Sequence, residues 1–243
     1  MISFIVDSDL HFTEKGIRYD KKNHVAKIID LCKEGIDAVI CPGDLTDHGW
    51  NGKKIFGWKY GGKEDEVSPL ITEYIEPISK HTNIYLCKGN HDGYVPWPYL
   101  YKPVRNLVKR RHGDILYSFD IKSKRSDTDK VHFICLDIYP DKKALKFLSK
   151  DLAKNHLIPT VIFFHFNLAG PYSEWWRSDE KTAFYDRIKD HNIIAILVGH
   201  WHSNYVELWP QDASIKFPVI SSGGSKLTVC TVENDGKISV KQV

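Results

Sequence analysis

The chain has 243 residues, 42% of them hydrophobic and 27% charged, which excludes wholesale disorder and fits a single domain over residues 1–243. Lys and Arg number 34 against 31 Asp and Glu, and a formal net charge of +3 gives no ground for nucleic-acid binding. No run of about 18 apolar residues is present, so no membrane span is expected. The opening Met1–Val6 meets Asp7 at once, without the basic and long apolar regions of a secretory signal. Cys32, Cys41, Cys87, Cys135 and Cys230 are odd in number, scattered, and form no C-x-x-C pair. They read as reduced thiols, and the chain as cytoplasmic.

In chain order, Ile2–Val6 predicts the first strand. Lys22–Cys32 carries Val25, Ile28, Ile29 and Cys32 at helical spacing. Ala38–Cys41 is the second apolar run, and Gly49–Val67 is an insertion rich in Gly, Lys and Trp. Ser68-Pro69 reads as an N-cap with proline at N1, opening a helix toward Lys80. Pro77 within it predicts a kink or an early end. Ile84–Cys87, Val131–Leu136, Val161–Phe164 and Ile193–Val198 continue the strand series. Each is short, apolar and rich in β-branched or aromatic residues, as strands buried on both faces are. Lys122–Lys130 is charged and reads as a solvated hairpin tip. Leu145, Leu148 and Leu152 after Asp141, and then Phe184 and Ile188, mark two further helices. Strand alternating with helix indicates an α/β architecture. The tail differs: Tyr205–Leu208, Phe217–Ser221, Leu227–Val232 and Lys237–Val243 follow one another without a helix, so antiparallel pairing is expected.

Polar residues gather where the strands stop. The first run is followed by Asp7, Asp9 and His11, and the second by Gly43-Asp44-Leu45-Thr46-Asp47. The third is followed by Gly89-Asn90-His91-Asp92, the Val161 run by His165, and the Ile193 run by Gly199-His200-Trp201-His202. Each block alone is ordinary: Gly-Asp is usually a turn, and a histidine in a Phe-rich strand is commonly a hydrogen-bonded core residue. Five successive blocks after apolar runs carry more weight, because open α/β sheets bind ligands outside the carboxyl ends of their strands. The donors are carboxylate, amide and imidazole without thiolate, a set suited to Mn, Fe or Zn.

The motifs D-x-H, G-D-x-x-D, G-N-H-D, H and G-H-x-H, in that order from Asp9 to His202, resemble those of the calcineurin-like metallophosphoesterase superfamily. The match looks closest to its cyclic-nucleotide phosphodiesterase-like and general phosphoesterase branch. The resemblance implies an α/β, four-layer αββα sandwich of two mixed β-sheets flanked by helices, with a dinuclear metal site at the strand C-terminal ends. It implies two metal ions, the first on Asp9, His11 and His202, the second on Asn90, His165 and His200, with Asp44 bridging. It also implies catalytic roles for His91 and Asp92: His91 stays off the metal and donates a proton to the leaving oxygen, and Asp92 orients it. A hydroxide activated by both ions would attack the phosphate ester in line.

Departures from the superfamily's subgroups narrow the reading. Purple acid phosphatases carry a Tyr ligand where this chain has Asp47. Protein Ser/Thr phosphatases follow the second block with an Arg and carry G-N-H-E, whereas His48 and Asp92 stand here. The expected activity is metal-dependent hydrolysis of a phosphate ester in a small molecule or nucleotide, diester ahead of monoester. A phosphomonoesterase acting on phosphoproteins or small metabolites is the first alternative. A non-catalytic scaffold of the same fold is the second, and it would be expected to lose His91 or Asp44.

Asn90, His91, His48, Tyr172, Trp175 and Arg177 are candidate substrate contacts. Trp175 or Trp176 would stack a base or ring and Arg177 would meet phosphate. The competing reading is an aromatic plug at a helix start. Tyr94, Trp97 and Tyr99, and Trp50 beside His48, admit the same two readings. Asp7 and Asp137 end strands and read as carboxylates that support ligands.

Overall fold

The apolar runs fold into two mixed sheets in the computed structural model of the chain, which describes residues 1–52, 54–55, 58–59, 64–93, 102–123 and 126–243. The strands are β1 (Ile2–Val6), β2 (Ala38–Cys41), β3 (Lys54–Ile55), β4 (Trp58–Lys59), β5 (Asn83–Leu86), β6 (Leu116–Ser123) and β7 (Ser126–Leu136). They continue with β8 (Thr160–Phe163), β9 (Ile193–Val198), β10 (Asn204–Trp209), β11 (Phe217–Ser222), β12 (Thr228–Val232) and β13 (Ile238–Gln242). One sheet runs β13-β12-β1-β2-β5 and the other β10-β11-β9-β8-β7-β6, while β3 and β4 pair alone within the Gly49–Val67 insertion. Within the sheets, β1-β2-β5 and β7-β8-β9-β11 are parallel, so their carboxyl ends line up.

The sheets pack face to face because their strands are apolar on both sides. Phe133 and Cys135 of β7, and Ala195 and Leu197 of β9, join the core shared with β1 and β2. Phe4 of β1 meets Phe133 edge-on, with ring centroids 5.1 Å apart. The alternate residues Ile134, Leu136, Ile196 and Val198 join a second core. That core is covered by α4 (Lys142–Asn155) and α5 (Ser178–Ile188) through Leu148, Leu152, Phe184 and Ile188. The outer face of the first sheet is covered by α1 (His24–Glu34), α2 (67–79) and α3 (Pro103–His112). Among the described residues, no helix is long and apolar enough to cross a membrane.

The structure departs from expectation at three places. Antiparallel pairing holds for β10 with β11 and for β12 with β13, but the four tail strands are divided between the two sheets. β11 slots between β9 and β10, parallel to β9, and β12 and β13 cross to the other sheet. Buried strand-to-strand pairing with β1 and β9 decides this, and a local turn signal does not carry that information. Strand β6 has no counterpart in the sequence reading; it alternates Tyr117 and Ile121, buried, with half-exposed or exposed Ser118, Asp120 and Lys122. Its pairing with β7 draws most of Lys122–Lys130 into a ladder, with a bulge between Lys122 and Ser123. Helix 67–79 begins at Val67, capped by Asp65 Oδ1, which accepts from the Val67 and Ser68 amides at 3.1 and 2.9 Å. An aspartate one turn earlier outcompetes the Ser68 hydroxyl as cap. Before Pro77 the segment Leu70–Ile75 winds as a π-helix, and the helix stops at Ser79, the early end a proline dictates.

At the far side of the second sheet His132 bridges two carboxylates, Nδ1 to Asp120 Oδ1 at 2.7 Å and Nε2 to Asp151 Oδ1 at 2.6 Å. Burial pushes the imidazole pKa down, but these partners outweigh it and hold it above 6.5. A histidine raised in the folded state stabilises fully below its unfolded value and loses that contribution as pH rises through the folded value. The melting-temperature gap between wild type and His132→Gln should therefore be widest near about pH 5 and shrink at alkaline pH. A pH-independent gap would contradict the bridge.

Candidate metal centre

Strands β1, β2 and β5 of one sheet and β8 and β9 of the other deliver all five polar blocks to a common edge. The backbone leaves each strand through conformations that side chains rarely adopt. Asp9, His11, Asp44, His200 and His202 have φ of 56, 45, 47, 72 and 49°, and only Asp137 and Tyr172 share this among the described non-glycine residues. Each such residue costs of order 1–3 kcal/mol, and the strain persists where the surroundings over-determine it. Two glycines permit the convergence. A Cβ at Gly89 would strike the Asp44 carboxylate, and one at Gly199 would strike Ser8 and Asp9.

The ligating atoms converge. His11 Nε2 lies 3.0 Å from His202 Nε2 and 3.7 Å from Asp44 Oδ2. His202 Nε2 lies 3.4 Å from Asp9 Oδ1. On the other side, His165 Nε2 is 3.2 Å from Asp44 Oδ2 and 3.0 Å from Asn90 Oδ1. Asp9, His11, Asp44 and His202 form one group able to hold a metal ion, and Asp44, His165 and His200 a second, with Asp44 common to both. Second contacts orient the rings. His165 Nδ1 donates to the Pro42 carbonyl at 2.9 Å and His11 Nδ1 to Asp47 Oδ1 at 3.1 Å, which turns both Nε2 atoms inward.

Such a cluster of lone pairs around a buried carboxylate attracts positive charge. Asp44 Oδ2 and His200 Nε2 are buried and accept no hydrogen bond. Asp44 Oδ2 has the His165 imidazole beside it at 3.2 Å but no hydrogen bond, a buried acceptor without one is costly, and a cation would satisfy both atoms. Burial pushes the His165 pKa down, but the Asp44 carboxylate beside it pushes it up to about 9. Burial also pushes His200 down, to about 4, with the His165 charge adding to it, so its imidazole is neutral at pH 7 and fit to ligate. The donor set and its two unsatisfied atoms thus fit a pair of metal ions.

His91 sits at the mouth. Its amide donates to Asp44 Oδ1 at 2.9 Å and its Nδ1 to the Asp47 carbonyl at 2.8 Å. The expected pairing of Asp92 with the His91 ring is corrected. The Asp92 carboxylate instead accepts from the amides of Leu45, Thr46 and Gly89 and the Thr46 hydroxyl at 2.8–3.1 Å. It latches the Asp44 loop to the Asn90 loop, because four donors on those loops outbid one ring nitrogen. Burial and the Asp44 charge raise its pKa to about 6 against the pull of these amides.

Tyr172 and Trp175 stand beside the cluster with Asn90, His91 and His200. His48 and Arg177 are not brought to it. His48 pairs with Glu66 at 2.9 Å and stacks on Trp50, and Arg177 is 73% exposed and pairs with Asp179 at 2.9 Å. Carboxylates at helix starts, Glu66 and Asp179, hold the two side chains. Trp176 is buried in the second core. Tyr94, Trp97 and Tyr99 lie outside the described residues.

Two supporting groups were missed. Arg18 Nη1 lies 3.2 Å from His202 Nδ1, and Nη2 donates to the Gly223 carbonyl at 3.0 Å; nothing local in the sequence marks it. Lys21 is fully buried, with its ammonium on Asp7 Oδ1 at 3.0 Å and on the Ser8 carbonyl. Asp7 also accepts from the Tyr74 hydroxyl at 2.9 Å and faces His24 Nδ1 at 3.1 Å. This network pins the turn that carries Asp9, while Asp137 pairs with Lys88 at 3.0 Å. Lys21→Met leaves Asp7 buried and short of its cation, and should cost about 3–5 kcal/mol in denaturant unfolding. The Asp7→Asn/Lys21→Met double variant should recover much of that, and no recovery would contradict the ion-pair account.

A sequence profile described as calcineurin-like phosphoesterase matches residues 2–204. Comparison with curated proteins gives no match. Among solved structures, a dimetal phosphatase from Danio rerio superposes with a TM-score of 0.66 at 12% identity, covering 99% of this chain and 95% of that one. GAP50 of Plasmodium, described as the anchor in the inner membrane complex, gives 0.62 at 15% identity, covering 100% and 84%. A purple acid phosphatase from yellow lupin (Lupinus luteus) gives 0.60 at 14% identity, covering 99% and 51%. At these identities the structural likeness is one of fold, and function has to be argued from the site.

Proposed function

Because the chain belongs to the calcineurin-like phosphoesterase family and is a hydrolase of phosphoric esters, we propose that its activity resides in the Asp44-centred cluster, with phosphodiesters as the preferred substrates. The observation that carries this is the convergence of seven ligand side chains, Asp9, His11, Asp44, Asn90, His165, His200 and His202, among which Asp44 Oδ2 and His200 Nε2 are buried and accept no hydrogen bond. Asp9, His11 and His202 would hold one ion, Asn90, His165 and His200 the other, and Asp44 both. Bound there, the ions would supply Lewis acidity toward phosphoryl oxygens and a water of lowered pKa, about 7 in the best cases against 15.7 in bulk.

The chain's own residues do the rest. Asp92 fixes the two loops that carry Asp44 and Asn90, and Asp47 fixes the His11 and His91 rings through its carboxylate and carbonyl. With Nδ1 of His91 held by that carbonyl, Nε2 is the atom that would pass a proton to the oxygen leaving phosphorus. A water oxygen bonds to phosphorus and gives up a proton to solvent, while the ester P–O bond breaks and the departing oxygen takes the His91 proton.

Two depressions flank the cluster and share His91 and His202. One of about 380 Å³ includes Tyr172 and Trp175, and one of about 530 Å³ includes Thr13, Arg18 and Tyr19. Room on both sides of a phosphorus supports a diester over a monoester. Mn²⁺-reconstituted protein should hydrolyse bis(4-nitrophenyl) phosphate at least about tenfold faster than 4-nitrophenyl phosphate, a difference of ~1.4 kcal/mol in barrier. Monoester preference would overturn the diester reading and leave the metal reading standing. The five free, buried cysteines support a reducing, cytoplasmic setting.

A further inference from the structure

Two aromatic side chains stand out toward solvent beside the centre, on a loop anchored through Trp176 and Asn167. Tyr172 is 51% and Trp175 48% exposed, whereas their neighbour Trp176 is 2% exposed. Trp176 packs on Phe164 and Phe184 and donates Nε1 to the Asn167 carbonyl at 2.8 Å. Asn167, itself fully buried, donates Nδ2 to the Pro171 carbonyl at 2.7 Å. The loop is thus held from beneath, and Tyr172 is forced to φ 61°, ψ 9°, a region that bulky residues rarely occupy. A loop that merely filled space would bury its rings and relax its backbone. Strain of this kind collects at ligand sites.

The rings wall a recess of about 380 Å³ whose polar side holds Asn90, His91 and His200. That volume lies within the roughly 300–1,000 Å³ of small-molecule sites. Trp175 and Tyr172 meet the His200 ring nearly perpendicularly, with centroids at 5.0 and 5.8 Å. Trp201 contributes a third ring, and Gly170 lets the loop approach it, since a Cβ there would sit 3.2 Å from the indole. Flat apolar walls next to a phosphate-handling centre select a flat group attached to phosphate.

We propose that this recess binds a planar ring, a nucleobase or an aryl group, carried by the phosphate ester, and that Tyr172 and Trp175 set that specificity. The proposal rests on the phosphoesterase reading above and adds the substrate class to it. Stacking on aromatic faces is tolerant of the base, so purines and pyrimidines should both be accepted.

Two substrate pairs differ only in the ring: adenosine 5′-monophosphate against ribose 5-phosphate, and the methyl diester of each. In whichever pair the Mn²⁺-loaded protein hydrolyses, the adenosine member should show kcat/KM at least about tenfold higher, mainly through KM. Trp175→Ala should erase the preference and Trp175→Phe restore most of it. Turnover of 4-nitrophenyl against ethyl phosphate esters separates an aryl from a nucleobase preference. Calorimetry on the same protein should show adenosine 5′-monophosphate binding more tightly than ribose 5-phosphate, whether or not either is turned over. Equal handling of ribose and adenosine esters would overturn the proposal. So would a Trp175→Ala variant that loses both esters equally along with Mn²⁺ affinity, because the rings would then serve only to brace His200. Failure of the wild type to hydrolyse any ester would instead strike the phosphoesterase reading, with the calorimetric comparison still deciding the recess.

Discussion

Asp44→Asn should remove tight binding of the metal pair and, with it, hydrolysis. Altering groups that merely orient metal ligands costs about 10–100-fold in affinity, so loss of a charged bridge should cost more than about 100-fold. The fold should survive, because Asn tolerates the left-handed backbone that Asp44 adopts at φ 47°. A second readout needs no metal. The Asp44 carboxylate is what lifts the His165 pKa to about 9 against the effect of burial. In metal-free Asp44→Asn the His165 imidazole should therefore titrate well below 9. The pair also shapes metal-free stability: the His165 contribution is complete below about pH 6.5 and is lost as pH rises through about 9, so wild type and variant should converge at alkaline pH. Two tightly bound ions and normal turnover in Asp44→Asn would refute the shared-ligand role.

His91→Ala should separate chemistry from metal binding. The ring lies at the mouth of the cluster with Nδ1 on the Asp47 carbonyl, and its amide, which the substitution keeps, holds Asp44 Oδ1. The variant should retain both ions and lose roughly 10²–10⁴ in kcat on esters with poor leaving groups. Nitrophenyl esters, whose leaving oxygen needs little protonation, should lose far less. A parallel loss of bound metal would make His91 a ligand, and an equal loss on both ester types would deny it the proton-donor role.

The legible part of this protein was the part written locally. β1, β2 and β9 match their apolar runs to the residue, because strands buried on both faces are nearly continuously apolar, with Ser3 of β1 the one polar member. The chemistry then appears where those runs stop, at Asp9, Asp44, Asn90, His165 and His200. What was not legible depends on partners distant in sequence. β6 mixes polar and apolar residues because only one of its faces is deeply buried, and it is recognisable chiefly by its pairing with β7. The crossing between β11 and β12 reads as a hairpin turn, yet Ser8 takes the Ser222 carbonyl and β12 takes β1. Asp92 sits next to His91 in sequence, but three of its four donors lie 46 or 47 residues away at Thr46 and Leu45. Lys21 reads as a surface lysine until Asp7 closes over it.

The most direct test of the account is a titration of chelator-stripped protein with Mn²⁺, following bound metal per chain and phosphoester hydrolysis in the same samples. The account predicts two ions per chain, with hydrolysis rising as the second site fills. Full hydrolysis by the metal-free chain, or no tight binding of metal at all, would contradict it.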